Sequence, residues 1–379
     1  MAPVRAAFVM EQTLGHVTHY RNLRAVATQQ AIVDPTWLPI SFDVHGPERL
    51  IPLLRSNWSV RASWRAWQAL RGALARQPHE ALVFHTQVTS LFSVGLMRHV
   101  PSIISLDATP INYDGVGRHY GHRPAGTGLL DRQKYRMNRA ALQAAAGLIA
   151  WSEWARRSLV EDYGVEAGRI RVIAPGAAPA YFALGERRHA GTRREARGSL
   201  VRLLFVGGDF RRKGGPLLLQ CMRNGLADRC ELHLVTQQEV APQRNVYVYH
   251  GLGPNSPDLL RLFAQADVFV LPSLADCLAV VLMEATAAGL PVITTDVGAL
   301  AEAVRPGETG LLIRAGDADA LHEAIATMAA DERLRCRMGR AGHELARARF
   351  DARRNNRAFL EFVAEVAAAV SAVDARRVA

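Results

Sequence analysis

Residues 276–302 read DCLAVVLMEATAAGLPVITTDVGALAE, a helical segment followed at once by a strand. The pattern predicts a helix over 280–288, with Gly289 at its C-cap and Pro291 at the start of the next strand. Two carboxylates flank the entry to this helix, Asp276 before it and Glu284 within it. Because the backbone N–H groups at a helix start attract anions, the segment indicates a ligand site. The competing interpretation is an amphipathic helix with a solvated Asp and Glu.

Strand and helix signals alternate on both sides of this stretch, which predicts parallel α/β sheets. The predicted strands of the second half lie at 201–206, 231–235, 246–249, 268–271 and 292–295, and those of the first half at 4–10, 81–85, 102–106 and 147–151. A charged stretch, 184–199, reads LGERRHAGTRREARGS and is predicted to be a linker or an exposed excursion. We therefore expect two Rossmann-like domains facing across a cleft, residues 1–183 and 184–379.

Ligands of parallel sheets gather at the carboxyl ends of the strands. In the first predicted domain these ends carry the segment Glu11 to His19, His85 and Asp107. His85 is a candidate site residue for this reason, although a lone histidine is more often structural.

A second glycine-rich stretch follows the strand at 201–206. Gly207-Gly208 lets a backbone approach a ligand closely, and the cations that follow can offset diphosphate charge. These cations are Arg211, Arg212 and Lys213. The alternative is an ordinary β-to-α connection with exposed cations.

Composition narrows the class of protein. The 379 residues are 49% apolar, and no apolar run approaches the ~20 residues of a membrane span. The N-terminus reads as a strand rather than a signal peptide, so we expect a cytoplasmic protein. The four cysteines form no C-x-x-C pair, which indicates neither a zinc site nor a disulfide framework.

The formal net charge of +11 can reflect a solvated surface, a functional basic face or a nucleic-acid-binding protein. Nearly all the basic residues are arginines, which suits a solvated surface better than a functional basic face. A nucleic-acid-binding protein is a rival interpretation, but the sequence has no recognition motif or aromatic platform for it.

One amphipathic segment could form a helix that lies on a membrane surface. Apolar residues at intervals of three and four predict one stripe of a helix, formed by Val60, Trp64, Trp67, Leu70 and Leu74. Arginines at 61, 65, 71 and 76 lie off this stripe. We expect a helix that covers the sheet with its tryptophans in the core; the alternative is a helix lying on an anionic membrane.

These motifs together resemble the retaining glycosyltransferases of family 4, which have the GT-B fold. The family pattern is a Glu, seven residues, a second Glu, then A-x-A-x-G-x-P-V and a D-x-G-G-x-x-E-like tail. The chain matches it at Asp276, Glu284, Ala285, Ala287, Gly289, Pro291, Val292, Asp296, Gly298 and Glu302. Further matches are 266–273 (ADVFVLPS), 172–176 (VIAPG), His250-Gly251 and Gly207 with Lys213-Gly214.

The resemblance implies a role for each matching residue. Glu284 would bind the donor ribose, Asp276 would contact the transferred sugar, and Lys213 would neutralise the leaving phosphates. The diphosphate would meet the backbone around Cys277, Leu278, Ala279 and Val280. Gly15, Gly207, Gly208, Arg212 and His250 complete the expected donor site. The last helix, about 353–373, is expected to cross back onto the N-terminal domain.

Three departures from the family pattern concern the site. Asp276 stands where the family usually has Glu, and Gly208 stands where it has a phosphate-binding Arg, a role that Arg211 or Arg212 could take. In the turn after the strand at 102–106, many members carry a His where this chain has Asp107. Asp107 is therefore expected to bind the sugar or acceptor or to assist proton loss, with His85 as a second candidate.

The expected activity is transfer of a sugar, with retained configuration, from a UDP- or GDP-sugar to a glycan, a lipid-linked or a small-molecule acceptor. No D-x-D motif lies near the site, so neither a metal nor a cofactor is expected. Contact with the inner membrane face is an open possibility. The alternatives are a protein that binds nucleotide sugars without turnover and an epimerase or phosphorylase on the same fold.

Overall fold

The structure is a computed structural model, and it describes residues 2–13, 15–44, 50–117, 126, 128–190 and 200–378. The chain divides into two compact units. The first comprises most of residues 1–174 together with the segment from Arg353 onwards, and the second comprises chiefly Pro175–Ala352.

The first unit is built on a six-stranded parallel sheet with the strand order β2-β1-β3-β4-β5-β6. Its strands are β1 (Val4–Glu11), β2 (Val33–Ile40), β3 (Ala81–His85), β4 (Ser102–Leu106), β5 (Gly147–Ala150) and β6 (Ile170–Val172). Its helices are α1 (His16–Ala27), α2 (Pro52–Ser56), α3 (Trp58–Arg76), α4 (Val94–Met97), α5 (Pro110–Val116), α6 (Leu129–Ala144), α7 (Glu153–Glu161) and α14 (Ala352–Val378).

Both faces of this sheet are covered, which is why its central strands read as continuous apolar runs. Successive β1 residues point to opposite faces: Ala7 and Val9 pack with α3 and α7, whereas Phe8 packs with α1 and α14. The last helix contributes Phe359, Leu360, Phe362 and Val363 to this second layer.

The second unit has its own six-stranded parallel sheet, in the order β12-β11-β10-β7-β8-β9. The strands are β7 (Val201–Val206), β8 (Cys230–Val235), β9 (Val246–Tyr249), β10 (Val268–Leu271), β11 (Val292–Thr295) and β12 (Gly310–Ile313). The helices are α8 (Pro179–His189), α9 (Gly215–Arg223), α10 (Pro257–Gln265), α11 (Val280–Ala287), α12 (Ala318–Ala330) and α13 (Glu332–Arg349).

The second compact unit begins at Pro175, upstream of the domain boundary predicted after residue 183. Helix α8 packs against α10, α11 and α13 of the second unit, and its Tyr181 ring stacks edge-on against Phe263 at 5.0 Å. The predicted linker is also too long at its start, since the chain stays helical to His189. Residues 191–199 of that linker lie outside the described residues.

The buried face of α3 is rotated about the helix axis relative to the apolar stripe predicted from the sequence. The fully buried face of α3 is formed by Ala62, Ala66, Leu70 and Ala73, so the helix does cover the sheet, but Trp64 and Trp67 are only half-buried at its flank. Arg61, predicted to lie outside the packed face, is buried because its guanidinium donates to the carbonyl oxygens of Phe42 and Leu54. Alanines let the helix approach the strands closely, and that contact sets its rotation.

None of the helices in the described ranges is both long and apolar enough to cross a membrane.

Candidate active site

The second unit brings together two of the predicted site residues in an ion pair. The Lys213 ammonium lies 2.7 Å from the Asp276 carboxylate, and both side chains are largely buried. Lys213 follows β7, and Asp276 follows β10, the neighbouring strand. Adjacent parallel strands end at the same edge of the sheet, which places the two side chains side by side.

Arg212 supports this pair from the interior. Its guanidinium donates to Asp209 at 2.9 Å and to the carbonyl oxygen of Ala275 at 2.6 Å, and it lies 3.6 Å from Asp276. Its side chain is only 3% exposed. The hydrogen bond to Ala275 anchors the loop before Asp276. Arg211 is exposed.

Helix α11 carries Glu284 at full burial. No side chain caps the start of this helix, where Ala279 is the N-cap residue, so its first amides keep their affinity for an anion. Burial raises the pKa of Glu284 to about 7, and contact with the Tyr181 hydroxyl opposes part of that rise. The site thus holds a carboxyl group whose charge is poorly compensated by the protein itself.

Two glycines shape the loops around the ion pair. A Cβ at Gly207 would lie 2.7 Å from Lys213 Cδ, so glycine leaves room for the lysine to fold against the end of β7. Gly298, with φ +57°, lies so close to the Asp276 carbonyl oxygen that a Cβ would overlap it, and the next amide, that of Ala299, donates to Cys277 at 2.7 Å. The turn after β11 therefore braces the backbone of Asp276 and Cys277.

The remaining predicted donor residues of this unit are placed as follows. Leu278 and Val280 are buried at the entry to α11, together with Cys277 and Ala279. Gly208 has open space at its Cβ position, so close packing does not require a glycine there. His250 follows β9 at the sheet edge, two strands away from β7, and its ring bonds to the Thr236 carbonyl oxygen at 2.9 Å. No hydrogen bond or ion pair joins His250 to Asp276, Lys213 or Glu284 in the described part of the chain.

The first unit gathers a separate polar cluster at the carboxyl ends of β1, β3 and β4. Its centre is His16, whose Nε2 lies 3.6 Å from Asp107 and 3.9 Å from Glu11. Glu11 is buried and accepts hydrogen bonds from Thr13 and from Thr86, the latter at 2.7 Å. Gly15 lies one residue before, as the N-cap of α1, so the predicted Gly15 and Asp107 both belong to this cluster.

His85 lies directly behind His16. The two rings meet edge to face with centroids 4.9 Å apart, and His85 stacks on His19 at 5.1 Å, with Trp151 beside all three rings. His85 and His19 are buried, and their ring nitrogens have no hydrogen-bond partner among the described residues. Burial lowers the pKa of His19 to about 3 and that of His85 well below its usual value, with the other histidines adding to the effect. Both imidazoles are therefore neutral at pH 7.

Sequence reasoning missed four members of these sites: Tyr181, Glu11 as an acceptor of hydrogen bonds, and His16 and His19 as partners of His85. The sequence indicated only that residues 11–19 form the loop after the first strand, not which of their side chains lie in the site. No sequence signal pairs Tyr181 with Glu284, because about a hundred residues separate them. Among the described residues, no group of three His, Cys, Asp or Glu side chains could hold a metal ion.

Two parallel six-stranded α/β sheets in one chain, each carrying polar groups at its carboxyl edge, form the GT-B architecture. The structure matches sucrose-phosphate synthase from Thermosynechococcus elongatus with a TM-score of 0.74 and 19% identity, covering 97% of this chain and 100% of that one. It matches WaaG, described as a glycosyltransferase involved in lipopolysaccharide biosynthesis, with a TM-score of 0.66 and 18% identity over 95% and 99% of the two chains. Anabaena HepE, solved in complex with UDP-glucose, matches with a TM-score of 0.63 and 15% identity over 97% and 100%.

Family models match most of the sequence. Residues 17–176 match the model described as glycosyl transferase 4-like domain, and residues 201–331 match the one described as glycosyl transferases group 1. The chain therefore belongs to glycosyltransferase family 4. Curated relatives include the D-inositol 3-phosphate glycosyltransferase of Corynebacterium efficiens, 29% identical over 50% of this chain and 49% of that protein. The enzyme of the same name from Geodermatophilus obscurus is 34% identical over 42% and 40%. The matched stretch thus spans about half the length of these relatives.

Proposed function

We propose that this protein transfers a sugar from a nucleotide diphosphate sugar to an acceptor, with retention of the anomeric configuration. The observation that carries the proposal is Glu284, a buried carboxyl group on an uncapped helix, next to the loop that holds the Lys213–Asp276 pair. Membership of glycosyltransferase family 4 supports the same activity.

The donor nucleotide suits the chemistry of α11. A diphosphate would accept hydrogen bonds from the first amides of the helix and interact with the Lys213 ammonium. Vicinal ribose hydroxyls would donate to Glu284 and supply the compensation that the protein leaves incomplete. No metal or further cofactor is part of this proposal, since the cations and amides are supplied by the chain itself.

The difficult step is departure of the nucleoside diphosphate. The transition state resembles an oxocarbenium ion, so charge builds on the leaving phosphate while the sugar becomes electron-poor. A preorganised cation and backbone amides stabilise that leaving charge without reorganisation. Asp276, held by Lys213 at 2.7 Å, would accept hydrogen bonds from hydroxyls of the transferred sugar. We assign the acceptor to the cluster of the first unit, where Asp107 and the neighbouring His16 would bind an acceptor hydroxyl or assist loss of its proton.

The test is turnover with a panel of UDP- and GDP-sugars, followed by product analysis. UDP-glucose is the first donor to try because HepE was solved with it, and D-inositol 3-phosphate is the first acceptor because the curated relatives are named for it. We expect Lys213→Ala to lower kcat by about 10²–10³-fold, the range for removing one group that stabilises a developing anion. Glu284→Gln is expected to raise the donor KM.

Matched controls in the same unit are Arg333→Ala and Glu323→Gln, which remove one positive and one negative charge at exposed helix positions. Wild-type rates in both Lys213→Ala and Glu284→Gln would show that this site is wrong. Tight binding of a nucleoside diphosphate with no turnover of any donor would favour instead a protein that binds nucleotide sugars without catalysis. The departures at Asp276, Gly208 and Asp107 are the features that make this second outcome worth measuring.

A further inference from the structure

Exposed apolar side chains are distributed very unevenly in the described part of the chain. Nine large hydrophobic residues are exposed there, and eight of them belong to the first unit. Those eight are Leu50, Ile51, Trp58, Phe92, Ile111, Leu129, Leu130 and Tyr135; the ninth, Tyr247, belongs to the second unit. Scattered single residues of this kind need no explanation, but a concentration on one unit does.

The topology places most of these residues at one edge of the sheet. In a parallel α/β sheet, the segment from the end of a strand to the start of the following helix lies at the carboxyl edge. Leu50, Ile51 and Trp58 lie between β2 and the first turn of α3, Phe92 follows β3, and Ile111 follows β4. Leu129 and Leu130 form the first turn of α6, which leads down to β5. The polar cluster around His16 lies at this same edge.

Contacts within the unit join several of these segments to one another. Trp58 stacks on Phe42 with ring centroids 5.4 Å apart, and the Phe92 amide donates to Ser63 of α3 at 2.9 Å. Helix α6 in turn contacts the short helical segment at 87–90 that precedes Phe92. We call the eight exposed residues together the apolar rim.

The charge of α6 complements an anionic surface. Its first two turns are exposed almost all round, with Leu129 84% and Leu130 79% exposed. Four cations follow on the helix against the single acid Asp131: Arg132, Lys134, Arg136 and Arg139. Two leucines at the tip of a cationic helix match the bilayer interface, where apolar side chains enter the acyl boundary and cations meet lipid phosphates.

We propose that the apolar rim and the first turns of α6 dock the first unit on an anionic lipid bilayer, with the His16 cluster facing an acceptor held in that bilayer. The docking helix is α6, whereas α3 contributes only its first residue, Trp58. The buried face of α3 packs on the sheet, and the Trp67 ring is covered by the Arg71 guanidinium at 4.8 Å. Docking itself does not depend on the proposed sugar transfer, whereas the lipid-linked nature of the acceptor does.

The experiment is flotation of the full chain with vesicles of phosphatidylcholine, alone and mixed with phosphatidylglycerol. We expect binding to the mixed vesicles, weakened by salt. Arg132→Gln/Arg136→Gln should lower partitioning by about 30-fold, since each cation near an anionic surface contributes about fivefold. Leu129→Ser/Leu130→Ser should also lower it, and that loss should persist at high salt.

Matched controls are Arg333→Gln/Arg337→Gln on α13, which remove the same charge from the second unit, and Tyr247→Ser, which removes its exposed aromatic ring. Both should bind vesicles as the wild type does. The proposal is overturned if the wild-type protein does not bind the mixed vesicles, if the α13 variant loses as much binding as the α6 variant, or if the leucine variant binds unchanged. Salt-sensitive binding to nucleic acid without vesicle binding, or self-association through Leu129 and Leu130, would also overturn it. Vesicle binding by a chain with no sugar transfer would refute the proposed function and leave the docking intact.

Discussion

At the scale of single residues, Glu284 is set apart by a buried carboxyl group with a raised pKa. Burial raises its pKa to about 7, so near neutral pH the carboxyl group is divided between its two protonation states. Only the carboxylate can accept hydrogen bonds from both hydroxyls of a ribose diol. The affinity for a nucleotide should therefore depend on pH in the range where other carboxylates are already fully ionised.

We predict that a nucleotide sugar binds about tenfold more weakly at pH 6 than at pH 8, because the ionised fraction of Glu284 falls from about nine-tenths to about one-tenth. A nucleotide sugar is the suitable probe, since its diphosphate has no proton to exchange in this range. Isothermal titration across the range measures the effect. Glu284→Gln should bind weakly with a flat pH profile, whereas Glu323→Gln should keep the wild-type slope. A wild-type profile that is flat, or that rises toward acid pH, would contradict the assigned role.

Sequence reasoning was strongest for residues whose positions are set by local spacing. Asp276, Glu284 and Lys213 lie on segments whose turns and helix starts can be read from the chain itself. Tyr181 and His16 could not be assigned in this way, because each acquires its partners only when distant segments pack together. Arg212 shows a different limit: its charge indicated a phosphate ligand, and only the structure shows its buried hydrogen bonds to Asp209 and Ala275.

At the scale of elements, the entry to α11 depends on the neighbouring turn after β11. Gly298 combines a left-handed backbone with close contact to Asp276, and the following amide holds Cys277. Asp276 is thus positioned by a strand to which it does not belong.

We predict that Gly298→Ala destabilises the protein more than Gly307→Ala does and also weakens donor binding. Gly307 has a similar backbone conformation, φ +76°, but open space at its Cβ position. Gly307→Ala should cost about 1–2 kcal/mol, the usual strain of a left-handed residue with a side chain. Gly298→Ala adds a clash with the Asp276 carbonyl group. Urea unfolding and nucleotide-sugar titration measure the two effects, and equal behaviour of the two variants would refute the bracing role.

The strands that the sequence did not predict all lie at edges of the two sheets. Strand β2 reads VDPTWLPI, and its two prolines argue against a strand, yet it lies at the edge of the sheet, where a missing N–H is tolerated. Strands β6 and β12 are also edge strands, of three and four residues, too short for a clear apolar run. The buried central strands, β1, β3, β4, β7 and β10, carried the signal because both of their faces are covered.

At the scale of the whole molecule, the order of strands and helices indicated two α/β units, and the motifs indicated their family. The position at which the chain passes from the first unit to the second did not follow from the sequence. The charged stretch at 184–199 resembles a linker, but the second unit already begins at Pro175. The return of the last helix to the first unit was expected from the family resemblance alone. Its place in the core is set by Phe359 and Phe362, which belong to the hydrophobic cluster that the sheet forms with α1.

We predict that Phe359→Ala lowers the free energy of unfolding by about 3–5 kcal/mol, the usual cost of removing a buried phenylalanine ring. The ring is 1% exposed and packs with residues of β1 and α1. Glu361→Ala, two residues away on the same helix, removes an exposed ion pair with Arg357 and should change stability by less than about 0.5 kcal/mol. Denaturant titration measures both. A small effect of Phe359→Ala would show that α14 does not support the first unit.

The assignment of α14 to the first unit has a consequence for the order of synthesis. Strands β1 to β6 leave the ribosome long before the helix that covers one face of their sheet. All strands of the second unit lie in its long segment, Pro175–Ala352, so they are available before α14 has been made. The first unit is therefore translated first, but its core is complete only after α14 has been made. Until then, the apolar β1 and β3 side chains that pack with Phe359 and Val363 stay exposed and can bind chaperones.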